Sequence, residues 1–327
     1  MLLSHPAIPE CVRTNNGYHE RICKLARAAT RRIYLETMSF DGYGAMAPVV
    51  DELINASQRG VDVRLTLDRF SYPDMYLKRG HEGVADLKNS LHRLGQAAVG
   101  ITILGQLRPN IFAGRHHIKS YIFDDTTLTA GGANLTADTI RHADFMLEYH
   151  DPDLADRLCQ HLQQNHGNRH TDTTVAYNEH NTFLFDAGKP GQSQILDASQ
   201  SMLRGGTRAW YVSKMLPHPA LAASLQAVPD VQAYFMGPHR GGKLNRLASW
   251  CDAHRVQLTN SHTGNGRIHA KFCVVEYPDG QRAALTGSHN FNARGVRWGT
   301  SELALLTTEQ SVCDMLVDFA EQLPDSY

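Results

Sequence analysis

The order His117-Ile118-Lys119, then Asp124, then Gly131-Gly132-Ala133-Asn134 recurs later in the chain as His269-Ala270-Lys271, then Glu276, then Gly287-Ser288-His289-Asn290. Each copy has a histidine and a lysine two apart, an acid five residues past the lysine and a glycine turn ending in asparagine. A chain carrying this group twice in one order is constrained to fold as two similar halves. The histidines are 152 residues apart and the asparagines 156. The extra four residues fall between acid and glycines, where the second copy carries Tyr277-Pro278-Asp279-Gly280, the composition of a longer hairpin turn.

Residues two apart on a strand face the same way. The apolar run from His117 to Phe123 is therefore expected to be a strand aiming His117 and Lys119 at one site, and His269 and Lys271 likewise. Histidine attacks as a nucleophile or carries a proton near neutral pH. Lysine supplies a point charge suited to phosphate oxygens. Asn134 and Asn290 add hydrogen-bond donors, and Gly131, Gly132, Gly287 and Ser288 let the backbone come close. The pattern reads as phosphorus chemistry.

The doubled pattern H-x-K-x4-(D/E) followed by G-(G/S)-x-N resembles the HKD motif of the phospholipase D superfamily. The stretch from Ala56 through Arg59-Gly60-Val61-Asp62-Val63-Arg64-Leu65 to Asp68 is similar to its bacterial cardiolipin-synthase-like members. The resemblance implies an α/β fold of two α-β-α sandwich halves related by a pseudo-twofold axis, with one active centre between them. It further implies a phosphohistidine intermediate, formed on His117 by the family's tendency, with His269 as the acid that then activates the incoming alcohol or water. Lys119, Lys271, Asn134 and Asn290 would hold the non-bridging oxygens. No cofactor and no metal are implied.

Parity argues against Asp124 and Glu276 as the histidines' partners. Counted along a strand, Asp124 falls on the face opposite His117, and Glu276 is out of phase with His269, so both are expected to brace structure. Better placed are Asp144 and Glu302, lone carboxylates in the matching apolar runs Ala143–Leu147 and Ser301–Leu305. A buried carboxylate needs a partner, and a histidine ring N–H suits it. Family precedent also puts a carboxylate there, with Asp144 in place of the commoner Glu.

Helix over Tyr18–Arg31, strand over Arg32–Met38, helix over Pro48–Arg59 and strand over Val61–Leu67 make a βαβ unit, the mark of an α/β fold. The polar, partly helical stretch Arg69–Leu94 is expected to overlie the site. The first half is assigned to residues 1–165, a connecting segment to 166–192 and the second half to 193–327. In the second half, helix is expected over Leu244–His254 and strand over Val256–Thr259. Loop residues Phe40, Tyr43, Met215, His218 and Trp298 are expected to line the substrate channel.

With 32 basic and 33 acidic residues, the chain has no general basic footprint for nucleic acid. A nuclease or other phosphodiesterase of the same superfamily is therefore the second reading, behind a phospholipid hydrolase or phosphatidyl transferase. An inactive binding module is disfavoured because both half-sites are intact. The six cysteines include no C-x-x-C, which points to free thiols in a reducing, cytoplasmic compartment. His161, His166 and His170 do not share one helical face, so they form no metal set. The start has no signal-peptide pattern, and no run is long enough to span a bilayer. The expected partner is a phospholipid or other phosphodiester met peripherally at a membrane surface, with no obligate protein partner evident.

Overall fold

A computed structural model describes residues 8–105, 113–165, 171–236, 258–262 and 266–323. In the first half β1 (Glu10–Arg13) is followed by α1 (Tyr18–Ala28), β2 (Arg32–Thr37), α2 (Ala47–Gln58), β3 (Asp62–Asp68), α3 (Ser71–Gln96) and β4 (Gly100–Leu104). Then come β5 (Ser120–Phe123), β6 (Thr126–Thr129), β7 (His142–Ala143), β8 (Phe145–His150) and α4 (Pro152–Asn165). The second half holds β9 (Thr173–Ala176), β10 (Asn181–Ala187), α5 (Gln194–Met202), β11 (Arg208–Ser213), α6 (Pro219–Gln226) and β12 (Asp230–Phe235). It continues with β13 (Arg267–Ile268), β14 (Phe272–Glu276), β15 (Arg282–Gly287), α7 (Ala293–Trp298), β16 (Ser301–Thr307) and α8 (Gln310–Glu321).

Among the described residues the strands form two seven-stranded sheets and a two-stranded ladder of β13 and β7. The first runs β1-β8-β6-β5-β2-β3-β4, and the second, taken from its other end, β9-β10-β16-β15-β14-β11-β12. From β1 in one and β10 in the other, the next five strands match in order. In both, the strand after the first motif segment is sandwiched between its hairpin partner and a strand that pairs in parallel with the next.

Period-two alternation sorts each strand's side chains into an inner and an outer core. In β14, Phe272 and Val274 face inward while Cys273 and Val275 face outward; in β11, Trp210 and Val212 face inward while Ala209 and Tyr211 face outward. The outer core of the first half is closed by α1, α2 and α3, and that of the second by α5 and α6. The inner faces meet each other in a shared core to which α4 and α8 contribute Leu154, Leu158, Leu316 and Phe319. There Phe145 from the first sheet and Phe272 from the second both meet Phe319, at 5.1 and 6.0 Å between ring centres. Removing that much apolar surface from water on both sheets is what holds the halves face to face.

The structure departs from the sequence reading in several places, beginning with β1, which forms in the polar stretch before α1. The motif strands begin at Ser120 and Phe272, so each histidine and lysine lies in an irregular segment before its strand rather than inside it. In the connecting segment, where only Thr182–Phe185 reads as a strand, residues 173–187 form β9 and β10 and complete the second sheet, because alternating apolar residues at Phe183 and Phe185 add to the inner core. Asp144 does not continue a strand but breaks it, between β7 and β8. The short helix α7 was not foreseen. Expected helix 244–254, residues 256–257 of the expected strand 256–259, and His166 and His170 lie outside the described residues, while residues 258–259 form no strand.

Candidate active site

The two motif segments are strapped crosswise. His117 N–H donates to the Ser301 carbonyl at 2.8 Å, and His269 N–H to the Ala143 carbonyl at 2.9 Å. Bridges run alongside from His116 to Ser301 and from Ile268 to Ala143. Each histidine backbone is thus tied to the residue immediately before the other half's carboxylate. The side chains follow: His117 Nδ1 lies 2.8 Å from Glu302 Oε2, and His269 Nδ1 lies 2.5 Å from Asp144 Oδ2. A carboxylate on Nδ1 fixes the tautomer with the proton there and leaves Nε2 with a free lone pair. The break in the strand at Asp144 lets the shorter aspartate reach.

The glycine turns make room for this. A side-chain carbon on Gly131 would come 1.9 Å from the Phe145 carbonyl oxygen, and one on Gly287 2.2 Å from that of Leu303. No other residue permits the turns to lie so close to β8 and β16. Ser288, beside the second glycine, donates its hydroxyl to Glu302, whereas its counterpart Gly132 offers Asp144 only a backbone N–H at 3.2 Å.

Burial and charge set the protonation of the group. Burial raises Glu302, but His117 beside it prevails and holds the carboxyl at about 2. Burial pulls His117 down to about 4 against the pull of Glu302. Burial pushes Asp144 up to about 6, opposed by Lys271 and by backbone N–H groups of Phe145 and Gly132. His269 is driven well down by burial and by the positive charges of Lys271 and Lys214. At rest, then, both imidazoles are neutral. Lys119 is lowered by burial and by Lys271, and Lys271 falls to about 8, chiefly through burial. Two buried lysines face two buried carboxylates, so a charge held by any one of them meets an opposite one, which lowers the cost of burying it.

Lys119 Nζ donates to the His117 carbonyl at 2.7 Å. Lys271 donates to the His269 carbonyl and stands 3.1 Å from His269 Nδ1. Asn134 Oδ1 accepts from Ser39 N–H at 3.4 Å, which leaves its NH2 to donate elsewhere. The Asn290 carbonyl accepts from the Ser213 hydroxyl at 3.0 Å. Asp124 accepts from the backbone N–H groups of Thr30, Arg31 and Arg32 at 2.8–2.9 Å, tying the β5–β6 hairpin to the start of β2. Glu276 is bound by Arg282, which also reaches Asp314. Neither acid touches a motif histidine.

The expected channel residues divide. Phe40 is fully buried in the first half's outer core, so it packs rather than lines. His218 caps α6, its Nδ1 accepting from Ala220 N–H at 3.2 Å. Tyr43 is half-buried with the Arg79 guanidinium 4.0 Å over its ring. Met215 is exposed, its sulfur accepting from Asn292 Nδ2 at 2.9 Å, and half-buried Trp298 ends α7 with its carbonyl on Gly114 N–H.

Sequence reasoning missed several polar residues. The His142 ring stacks on His269 with centres 5.4 Å apart, and burial pulls it down to about 4. Lys78 links Asp74 at 3.1 Å to Asp138 at 3.2 Å, and Asp74 accepts from the Ser39 hydroxyl, beside Asn134. Behind Glu302, buried His289 lies 3.4 Å from the Ser193 hydroxyl, which donates to Asp186. Preceding His117, His116 Nε2 meets Glu36 at 2.7 Å while Asp68 takes the His116 N–H and the Arg115 guanidinium. Among the described residues no group of three or more His, Cys, Asp or Glu stands where a metal would be held. His161 instead meets the Thr173 hydroxyl at 3.0 Å.

Residues 22–165 match the family described as "Cardiolipin synthase, PLD-like domain". No curated protein matches the chain. Among solved structures, phosphatidylserine synthase of Haemophilus influenzae Rd KW20 is similar with a TM-score of 0.72 and 15% identity, over 97% of this chain and 86% of that one. Polyphosphate kinase from Porphyromonas gingivalis gives a TM-score of 0.61 at 12% identity, covering 97% of this chain and 50% of that one. The family match places a PLD-like domain over residues 22–165, which hold the first half-site, and the same motif residues recur in the second half.

Proposed function

We propose that the protein cleaves phosphodiester bonds of phospholipids through a phosphohistidine, passing the phosphatidyl group to an alcohol or to water. The crossed pairs His117–Glu302 and His269–Asp144 carry the reading, because they equip one centre with two imidazoles whose Nε2 atoms are available. Phospholipid is favoured by the cardiolipin-synthase description of the matched family and by the likeness to a phosphatidylserine synthase.

His117 Nε2 attacks phosphorus while the bond to the leaving alcohol breaks, and that oxygen takes the proton of His269. His269 gains this proton as the substrate's negative charge enters, with Asp144 stabilising the imidazolium. In the second step His269 takes the proton of the incoming hydroxyl, whose oxygen displaces His117 from phosphorus. Lys119, Lys271, Asn134 and Asn290 hold the non-bridging oxygens as charge builds on the five-coordinate phosphorus. We further propose a peripheral, cytoplasmic setting. Among the described residues no helix is long and apolar enough to cross a membrane, and the described cysteines are free thiols.

The test is to incubate purified protein with phosphatidylglycerol, phosphatidylethanolamine and single-stranded DNA, with and without glycerol and chelator. Phospholipid turnover that survives chelator is expected. Product from DNA alone would replace the reading with a nuclease.

A further inference from the structure

Among the described residues, five large hydrophobic side chains are exposed: Ile8, Tyr76, Leu77, Ile140 and Met215. Four of these adjoin the polar rim of the site. Tyr76 (51% exposed) and Leu77 (73%) sit in α3 between Asp74 and Lys78. Ile140 (41%) is two residues past Asp138, the partner of Lys78. Met215 (38%) follows Lys214, whose charge acts on both Asp74 and Asp138. From three separate segments, apolar side chains therefore flank the Asp74–Lys78–Asp138 cluster.

The backbone holds them out. Ser71 donates to the Met38 carbonyl and Ser39 to Asp74, fixing the start of α3 against the site. The helix then breaks at Gly80, with φ 61° and ψ −144°, a conformation that favours glycine, so the first turns are directed independently of the rest. Arg141 and Arg267 stand exposed along the same rim, with no salt bridge to an acidic side chain among the described residues, while Lys214 has an exposed side chain whose pKa is lowered by burial and which feels the charges of Asp74 and Asp138. Arg267 lies opposite His142 in the β13–β7 ladder, next to Arg141.

We infer that Tyr76, Leu77, Ile140 and Met215, with Lys214, Arg141 and Arg267, form an interfacial surface that seats the mouth of the site on an anionic phospholipid bilayer. Apolar side chains in a frame of exposed cations fit the boundary between acyl chains and anionic headgroups. This rests on the phospholipid reading above, and names the face that meets the lipid.

The test is co-sedimentation of the full chain with phosphatidylglycerol–phosphatidylcholine vesicles, comparing wild type with Leu77→Glu/Ile140→Glu and Leu77→Ser. Wild type is expected to bind more weakly as salt rises. The double variant should lose about tenfold or more in binding per side chain, and its melting temperature should match wild type. Its turnover of a short-chain phospholipid below the aggregation concentration should be unchanged. Equal vesicle binding by wild type and double variant overturns the inference, as does an apolar dimer in lipid-free solution that the double variant abolishes. Cleavage of short-chain lipid without vesicle binding removes the surface and leaves the function. Vesicle binding without phospholipid cleavage does the reverse.

Discussion

Replacing Glu302 with Gln tests the crossed architecture, because the carboxylate belongs to the second half while the histidine it serves belongs to the first. The side chain keeps its length, so the change removes charge and leaves volume. Surroundings that hold Glu302 at about 2 rather than 4.5 favour its anion by roughly 3 kcal/mol, at about 1.4 kcal/mol per unit. The charge that His117 can take on and its hydrogen bond are the largest favourable contributors, so it is the charged form of that imidazole that loses this support. Losing the tautomer control as well takes the expected fall in kcat to about 10²–10⁴-fold. Rapid-quench measurement should place the loss in formation of the adduct on His117, with KM little changed. Thermal unfolding run beside it separates a folding defect from a chemical one. A Glu302→Gln enzyme within about threefold of wild type, properly folded, would refute the reasoning.

Asp124→Ala should cost about 1–3 kcal/mol in unfolding free energy, since three backbone N–H groups lose their acceptor, while kcat stays near wild type; urea unfolding with steady-state kinetics checks both. Gly132→Ala should depress kcat, because the added carbon would lie 2.7 Å from Lys271 Nζ and 2.8 Å from Asp144. A fully active alanine enzyme would mean that the lysine does not work from there. Stability should fall as pH drops from 6.5 to 4. Buried His117 and His142, both near 4, and His269 and His289, also lowered, take up protons later in the folded than in the unfolded chain. His19, His161 and His218 are lowered as well. Asp41, Asp144 and Asp186, raised to about 7, 6 and 7, act in the opposite sense but are fewer. Urea midpoints that rise over that window would contradict the balance.

The sequence shows what the chemistry uses twice. Histidine, lysine and asparagine recur in both half-sites, and the fixed 158-residue offset from Asp144 to Glu302 points to the carboxylates although one is shorter. Asp124 and Glu276 are held by backbone N–H groups and by Arg282, although the parity count that set them aside runs along strands that begin only at Ser120 and Phe272. The crossing of partners is not legible, because which carboxylate meets which ring depends on how the two sheets face. Residues without a counterpart are equally hidden. His142 aligns with Thr300 at the same offset, and strand register aligns Lys214 with Met38, so the repeat points to neither. Phe40 was misplaced because a loop aromatic reads the same in sequence whether it faces a channel or, as here, closes a core.

Trapping the covalent intermediate tests the central claim most directly. Acid-labile phosphoryl adducts, quenched within the first turnover and mapped by mass spectrometry, should carry a single phosphatidyl group per chain on His117. The adduct should be absent from His117→Ala, and His269→Ala should be slow both to form and to discharge it. Full turnover by either alanine variant, or by wild type with no histidine adduct at any time point, would contradict two imidazoles acting on one phosphodiester.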